Sequence, residues 1–245
     1  MTAMITRIHC PQGLAPGASV ALPTVAGHHV ARVLRLKEGD ALTLFDGHGG
    51  DWSATISRIH KDDVHAHLVA FDPVERESTP AVTLVQSIAS GDKMDWIVQK
   101  CVELGVAAIR PVAAKRSVIR LSGERMERRV AHWQAIAVAA CEQCGRNRVP
   151  LVAPIVDLPQ YLAEPAAENE LRLLALPDAA SRLRNLVQPA GPVSLLVGPE
   201  GGFEEGELAA AQLVGFDGVN FGARVLRTET AGAAALAGML ALWGD

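Results

Sequence analysis

From residue 81 onward, short apolar runs alternate with stretches of helical period, and this rhythm restricts the chain more than any other feature. AVTLVQSI (81–88), VAAIRPV (106–112), LRLLAL (171–176), VSLLV (193–197) and GVNF (218–221) each read as a strand. Strands that are mostly apolar are buried on both faces, the condition of a parallel sheet with helices on either side. DKMDWIVQKCVEL spaces Met94, Ile97, Val98, Cys101 and Val102 as one helical face, and Gly105 supplies its stop. A longer helix is expected from Ser122, with Met126, Val130, Trp133, Ala137, Ala140, Cys141 and Cys144 on one face. Helical stretches are expected after each of the last three strands. The final one, 231–243, carries no charge and is rich in Ala, Gly, Leu and Met. It is too short to span a bilayer, so it is expected to bury against the sheet or a second subunit.

The first seventy-odd residues follow a different pattern. ASVALP, ALTLFDGHGG, DWSATISRI and VHAHLVAF are short apolar segments cut by Gly, Pro and Asp, as in a small antiparallel barrel or sandwich. GHHVARVLRL is the one segment there with helical spacing. The polar stretch DPVERESTP marks a boundary, giving domains 1–74 and 75–245. Seven of the eight histidines lie in the first domain. They meet no acidic or thiol partner at ligand spacing, so no metal site is expected.

With 49% hydrophobic residues the chain has ample core material and fits neither disorder nor a fibrous repeat. No apolar stretch has the length of a membrane span, and the N-terminal segment lacks a signal peptide's apolar region. A cytoplasmic protein with reduced thiols is expected, with Cys141 and Cys144 as small core residues. The net charge of −4 is uneven. Residues 91–150 carry eleven basic and six acidic side chains, and 151–245 carry five and twelve. The middle segment is thus a candidate polyanion-facing surface, or equally a solvated helix face.

In a parallel sheet, ligands gather at the carboxyl ends of the strands. VSLLV ends at GPEGG (198–202), and GVNF ends at GARVLRTET (222–230). Neither loop has the Lys-Ser/Thr ending of a phosphate loop or the dinucleotide-binding glycine pattern. Glu200, Glu204, Glu205 and Glu207 would repel a polyphosphate. Glu204, Glu205 and Glu207 also suit the dipole at the start of a following helix. A nucleoside with a cationic tail fits such a loop.

LLVGPEGGFEEGEL together with FGARVLRTETA closely resembles the paired C-terminal signatures of the SPOUT-class RNA methyltransferases. More narrowly, they resemble the RsmE family, which methylates N3 of one uridine in 16S ribosomal RNA. The resemblance extends through HHVARVLRLKEGD, LFDG, GDKMDWIVQKCVELGV, IRPVAAKRS and ACEQCGRNRVP. It implies an N-terminal PUA-like RNA-binding barrel and a C-terminal α/β domain whose last strands form a trefoil knot. It also implies S-adenosylmethionine as cofactor and a homodimer whose partner chain helps complete the site. By motif matching, the cofactor is contacted by Leu176 and Pro177, by Gly198, Pro199, Glu200, Gly201 and Gly202, and by Leu226, Arg227, Thr228, Thr230 and Ala231. The chain departs from the family's usual pattern at Ala223, where proline is common, and at Leu176.

Within that framework Arg227 is the candidate to stabilise the uracil anion that attacks the methyl group. Its alternative is a salt bridge to Glu229 or a helix-start glutamate. Glu229 orients that arginine, acts as base, or caps its helix with Thr228 as N-cap. RNA contacts are expected from Arg7, Arg32 and Arg35 in the barrel. In the second domain they are expected from Lys93, Lys100, Arg116, Arg146 and Arg148. Aromatic residues make up only 4% of the chain, so recognition should rest on folded rRNA shape and phosphates, with an assembled small subunit as substrate.

Overall fold

The computed structural model describes residues 5–117 and 123–244. The chain forms two compact units. One runs to Arg76 and includes Cys141–Val149; the other comprises Glu77–Ala140 and the chain from Pro150 on.

In the first unit, strands β1 (Arg7–His9), β2 (Ser19–Ala21), β3 (Ala41–Phe45), β4 (Asp51–His60) and β5 (Asp63–Asp72) form one sheet in the order β1-β3-β4-β5-β2. All pairs are antiparallel except β1 with β3. Alternate residues feed one core: Leu42 and Leu44 from β3, Trp52, Ala54 and Ile56 from β4, and Val64, Ala66 and Leu68 from β5. This is the period-2 pattern of a sheet with one wet face. The helical segment is α1 (Thr24–His28), which runs on into a π-helical turn over His29–Val33. α1 lies so close to the β4–β5 turn that a Cβ on Gly27 would sit 2.3 Å from the Asp62 carbonyl oxygen.

Two features of this unit had no local signal. β1 is only three residues long and pairs at the sheet edge. Residues 141–149, expected in the second domain, belong to the first unit because of hydrogen bonds to partners far away in sequence. Asn147 Nδ2 donates to the Val74 carbonyl at 2.7 Å. The Val149 amide donates to Gly47 O at 3.1 Å, and the His9 amide donates to Glu142 Oε1 at 2.9 Å.

The second unit is built on strands β6 (Val82–Ser87), β7 (Ala108–Ala113), β8 (Leu151–Val152), β9 (Val156–Asp157), β10 (Leu171–Ala175), β11 (Ser181–Arg182), β12 (Val193–Val197) and β13 (Asp217–Asn220). Their order is β11-β13-β10-β12-β6-β7-β8, with β9 also on β7, and every pair is parallel. Its helices are α2 (Lys93–Glu103), α3 (Glu124–Cys144), α4 (Leu158–Leu162), α5 (Glu205–Leu213) and α6 (Thr228–Trp243). All five residues of β12 are buried, as their apolar run requires. On one face α4 and α5 bring Leu158, Tyr161, Leu162 and Ala211 onto Val85, Leu174 and Leu196. On the other, α6 packs against α2, β6 and β12. There Gly232 lets α6 approach: an added Cβ would sit 3.2 Å from Leu84 Cδ1.

The expected helix start at Ser122 lies outside the described residues. After β10 the chain forms β11 and a 3₁₀ turn over Leu183–Asn185 in place of the expected helix. Pro177 and Pro189 bracket that segment, and a helix cannot run through either. The last helix starts at Thr228, three residues before the expected start.

Two glycines should respond in opposite directions. Gly232→Leu has no room beneath α6 and should cost about 1–3 kcal/mol in chemical denaturation. Gly206→Ala, in α5 with nothing within 4 Å of its Cβ position, should stabilise by about 0.5–1 kcal/mol.

Candidate active site

The sheet order places the segments after β10, β12 and β13 side by side, and they enclose a cavity of about 460 Å³ at the carboxyl ends of those strands. Leu176 and Pro177 form one wall, Gly198, Pro199, Glu200 and Gly202 a second, and Leu226, Arg227, Thr228 and Ala231 a third. Ten of the twelve expected cofactor residues thus line one space. Gly201 and Thr230 do not. Gly201 turns toward Arg116, whose Nη1 donates to its carbonyl at 3.1 Å. Thr230 is exposed, and its amide closes the first turn of α6 onto Arg227 O. Sequence reasoning missed Phe203, Asn220, Phe221, Arg224 and Val225, which also line the cavity. Phe203 could have been found as the apolar residue immediately following GPEGG. Its ring would sit 3.1 Å from a Cβ at position 198, so any larger residue there must displace the ring.

Thr228 joins two of the walls. It is 7% exposed, and its hydroxyl donates to Gly198 O at 2.6 Å while accepting from Gln86 Nε2 at 3.0 Å. The N-cap of α6 is Arg227, with no side-chain cap, and Thr228 is the first helical residue. The expectation of a Thr228 N-cap therefore fails, because its hydroxyl is committed across to the β12 loop. Glu229 lies in the first turn of α6, where its charge suits the dipole.

The glutamates divide by task. Glu204 and Glu207 form a reciprocal capping box at the start of α5, and Glu207 also accepts from the Lys115 amide at 2.9 Å. Such a box satisfies amides that would otherwise lack partners. Glu200 instead accepts from the Ser90 amide at 2.9 Å, Ser90 Oγ at 2.6 Å and Lys93 Nζ at 2.9 Å. Burial raises its pKa, but the hydrogen bonds from Ser90 and Lys93 prevail and hold the carboxyl at about 2. Lys93 also lies 3.8 Å from Glu229 Oε2, a buried oxygen with no hydrogen-bond donor among the described residues. Arg227 is exposed at the cavity, and among the described residues its guanidinium has no ion-pair partner. It is therefore not bridged to Glu229.

The expected RNA contacts separate in the structure. Arg7 is a correction: both terminal nitrogens are held by Asp51 at 2.8 and 2.9 Å, and its side chain is only 13% exposed. Arg146, 5% exposed, is a second correction, because the folding of residues 141–149 into the first unit buries it. Lys93 lines the cavity paired with Glu200 and keeps 31% of its side chain exposed. Arg32 and Arg148 are exposed but paired, with Asp62 and Glu75. Lys100 pairs with Glu103 at 2.8 Å, and Arg35 is exposed. Arg116 keeps half of its side chain exposed beside Gly201.

Both units correspond to RNA methyltransferase family models. Residues 76–240 match the model of an RNA methyltransferase domain, and residues 26–69 match that of an RNA methyltransferase PUA domain. The chain belongs to the ribosomal RNA small subunit methyltransferase E family. It is 34% identical over 230 residues to the Synechocystis protein of that name, covering 92% of this chain and 74% of the relative. The Bacillus subtilis relative is 32% identical, with 83% and 82% covered. A crystal structure of the Neisseria gonorrhoeae methyltransferase E bound to S-adenosyl methionine is 40% identical over 99% of each chain, with a TM-score of 0.92. A Legionella pneumophila structure with bound S-adenosylmethionine is 37% identical, covers 99% of this chain and 100% of its own, and has a TM-score of 0.94.

A pKa held at about 2 is depressed from the ordinary 4.5, so the Glu200 clamp is intact above that ordinary value and is lost as pH falls toward 2. Lys93→Met should move the Glu200 midpoint upward in a carboxyl ¹³C NMR titration. An unchanged midpoint would show that the lysine does not hold this carboxylate.

Proposed function

We propose that this protein methylates N3 of one uridine in the 16S rRNA of the small ribosomal subunit, using S-adenosylmethionine, as a homodimer in the cytoplasm. The observation that carries this reading is the cavity shared by the three loops. Its size lies in the range of small-molecule cofactor sites. Apolar groups of Leu176, Phe203, Val225 and Leu226 alternate there with loop backbone, which suits a nucleoside. Glu229 Oε2, buried and lacking a donor among the described residues, suits an ammonium or a sulfonium. The residues present therefore fit the donor: Leu176, Pro177, Gly198, Pro199, Glu200, Gly202, Leu226, Arg227, Thr228 and Ala231 would hold it, with Gly201 and Thr230 supporting the loop backbone.

S-adenosylmethionine supplies an electrophilic methyl group when bound. The protein's own task is to align the uracil and to favour loss of its N3 proton. Arg227, exposed at the cavity and without an ion-pair partner among the described residues, can place positive charge beside the uracil carbonyl oxygens and stabilise the anion. Glu229 can accept the proton at Oε2. The first domain, 1–74, would bind RNA and 75–245 would catalyse, with Arg32, Arg35, Lys100, Arg116 and Arg148 meeting phosphates. The crossing strand order β13-β10-β12-β6 supports a trefoil knot. Leu240 and Leu242, 41% and 48% exposed on α6, support a second copy against that helix.

Calorimetry with S-adenosylmethionine and labelled-methyl transfer to small subunits from an unmethylated strain test the proposal. Binding and 3-methyluridine in the digested rRNA are expected. Absence of both, or methylation at a 2′-hydroxyl or a guanine, would overturn it. Arg227→Ala should retain RNA affinity and lose about 10²–10³-fold in kcat.

A further inference from the structure

Gln86, on β6, is fully buried, lies outside every motif that pointed to the site, and does not line the cavity. Its Nε2 donates to Thr228 Oγ1 at 3.0 Å and to Ser87 O at 2.9 Å. A carbonyl can only accept, so the amide orientation is fixed: nitrogen faces Ser87 O and Thr228. Thr228 Oγ1, receiving that proton, must direct its own toward Gly198 O, 2.6 Å away. The donors therefore run one way, from Gln86 through Thr228 to Gly198. That carbonyl is the sole hydrogen-bonding group of its peptide, because the next residue is Pro199.

Gln86 Oε1, meanwhile, is buried with no hydrogen-bond partner among the described residues. A leucine of similar size would remove that orphaned acceptor, so the fold alone gains little from the amide. We infer that Gln86 is a positioning residue for the methyl-donor loop: it sets the Thr228 hydroxyl so that the 198–202 turn is held in the geometry that binds the donor. This inference rests on the methyltransferase reading of the cavity.

The test reads loop order and donor affinity separately. The Gly202 amide, which donates to Pro199 O at 2.9 Å, reports the turn by hydrogen exchange. Gln86→Leu should keep or raise the melting temperature, yet lower Gly202 protection and S-adenosylmethionine affinity each by about tenfold. Thr228→Val should do the same, and Thr228→Ser should recover the protection that valine loses. The double variant Gln86→Leu/Thr228→Val should be no worse than Thr228→Val alone, because one relay is cut twice. Wild-type protection in Gln86→Leu, or losses that multiply in the double variant, would overturn the inference. If Thr228→Val does not fold, Gln86→Leu against wild type decides. If the wild-type protein binds no S-adenosylmethionine, the donor reading fails, and the exchange measurement still decides whether Gln86 holds the turn.

Discussion

Burial of β12 on both faces, between β6 and β10, constrains everything else in the second unit. A strand with no wet side must be covered by helices, and α6 and α5 lie on opposite faces of its sheet. The chain must then leave the strand in the narrow space at the sheet edge, where Gly198 permits contact with the Phe203 ring and Gly202 adopts a φ of 67°. Because β10 pairs with this strand and β13 pairs with β10, three exits converge on one cavity. The site is thus a consequence of strand order, and the motif residues are those whose backbone can follow such turns.

Charge in the site is organised by pairing. Four glutamates near one loop would strain a simple repulsion argument, yet Glu204 and Glu207 are spent on capping α5 and Glu200 is neutralised by Lys93. Of the glutamates lining the cavity, Glu229 keeps a buried oxygen without a hydrogen-bond donor among the described residues, and Lys93 lies 3.8 Å from it. Elsewhere the same rule applies to buried cations. Arg172, on β10, bonds to Glu170 at 2.9 Å, and Arg7, on β1, bonds to Asp51. Each is a buried ion kept by a specific partner.

The strands and helices of the second unit were legible because their apolar period is local. β12, β6 and α2 begin and end within one or two residues of the expected positions, and the two loop motifs predicted most of one cavity's walls. What was not legible depends on partners distant in sequence. Residues 141–149 carry no signal of their membership in the first unit, since Gly47, Val74 and His9 supply their hydrogen bonds. Arg7 and Arg146 look like any exposed cation in the sequence, and only a carboxylate or a packed segment from elsewhere covers them. Thr228 resembles an N-cap in every local respect, yet a carbonyl thirty residues earlier takes its hydroxyl.

In the proposed function, three loops of one unit hold the methyl donor. Amide chemical-shift mapping during titration with S-adenosylmethionine addresses it most directly. Saturable shifts should concentrate at 176–177, 198–203 and 224–231, with the β3 to β5 core of the first unit unmoved. Shifts absent from those segments, or centred on the barrel, would contradict it.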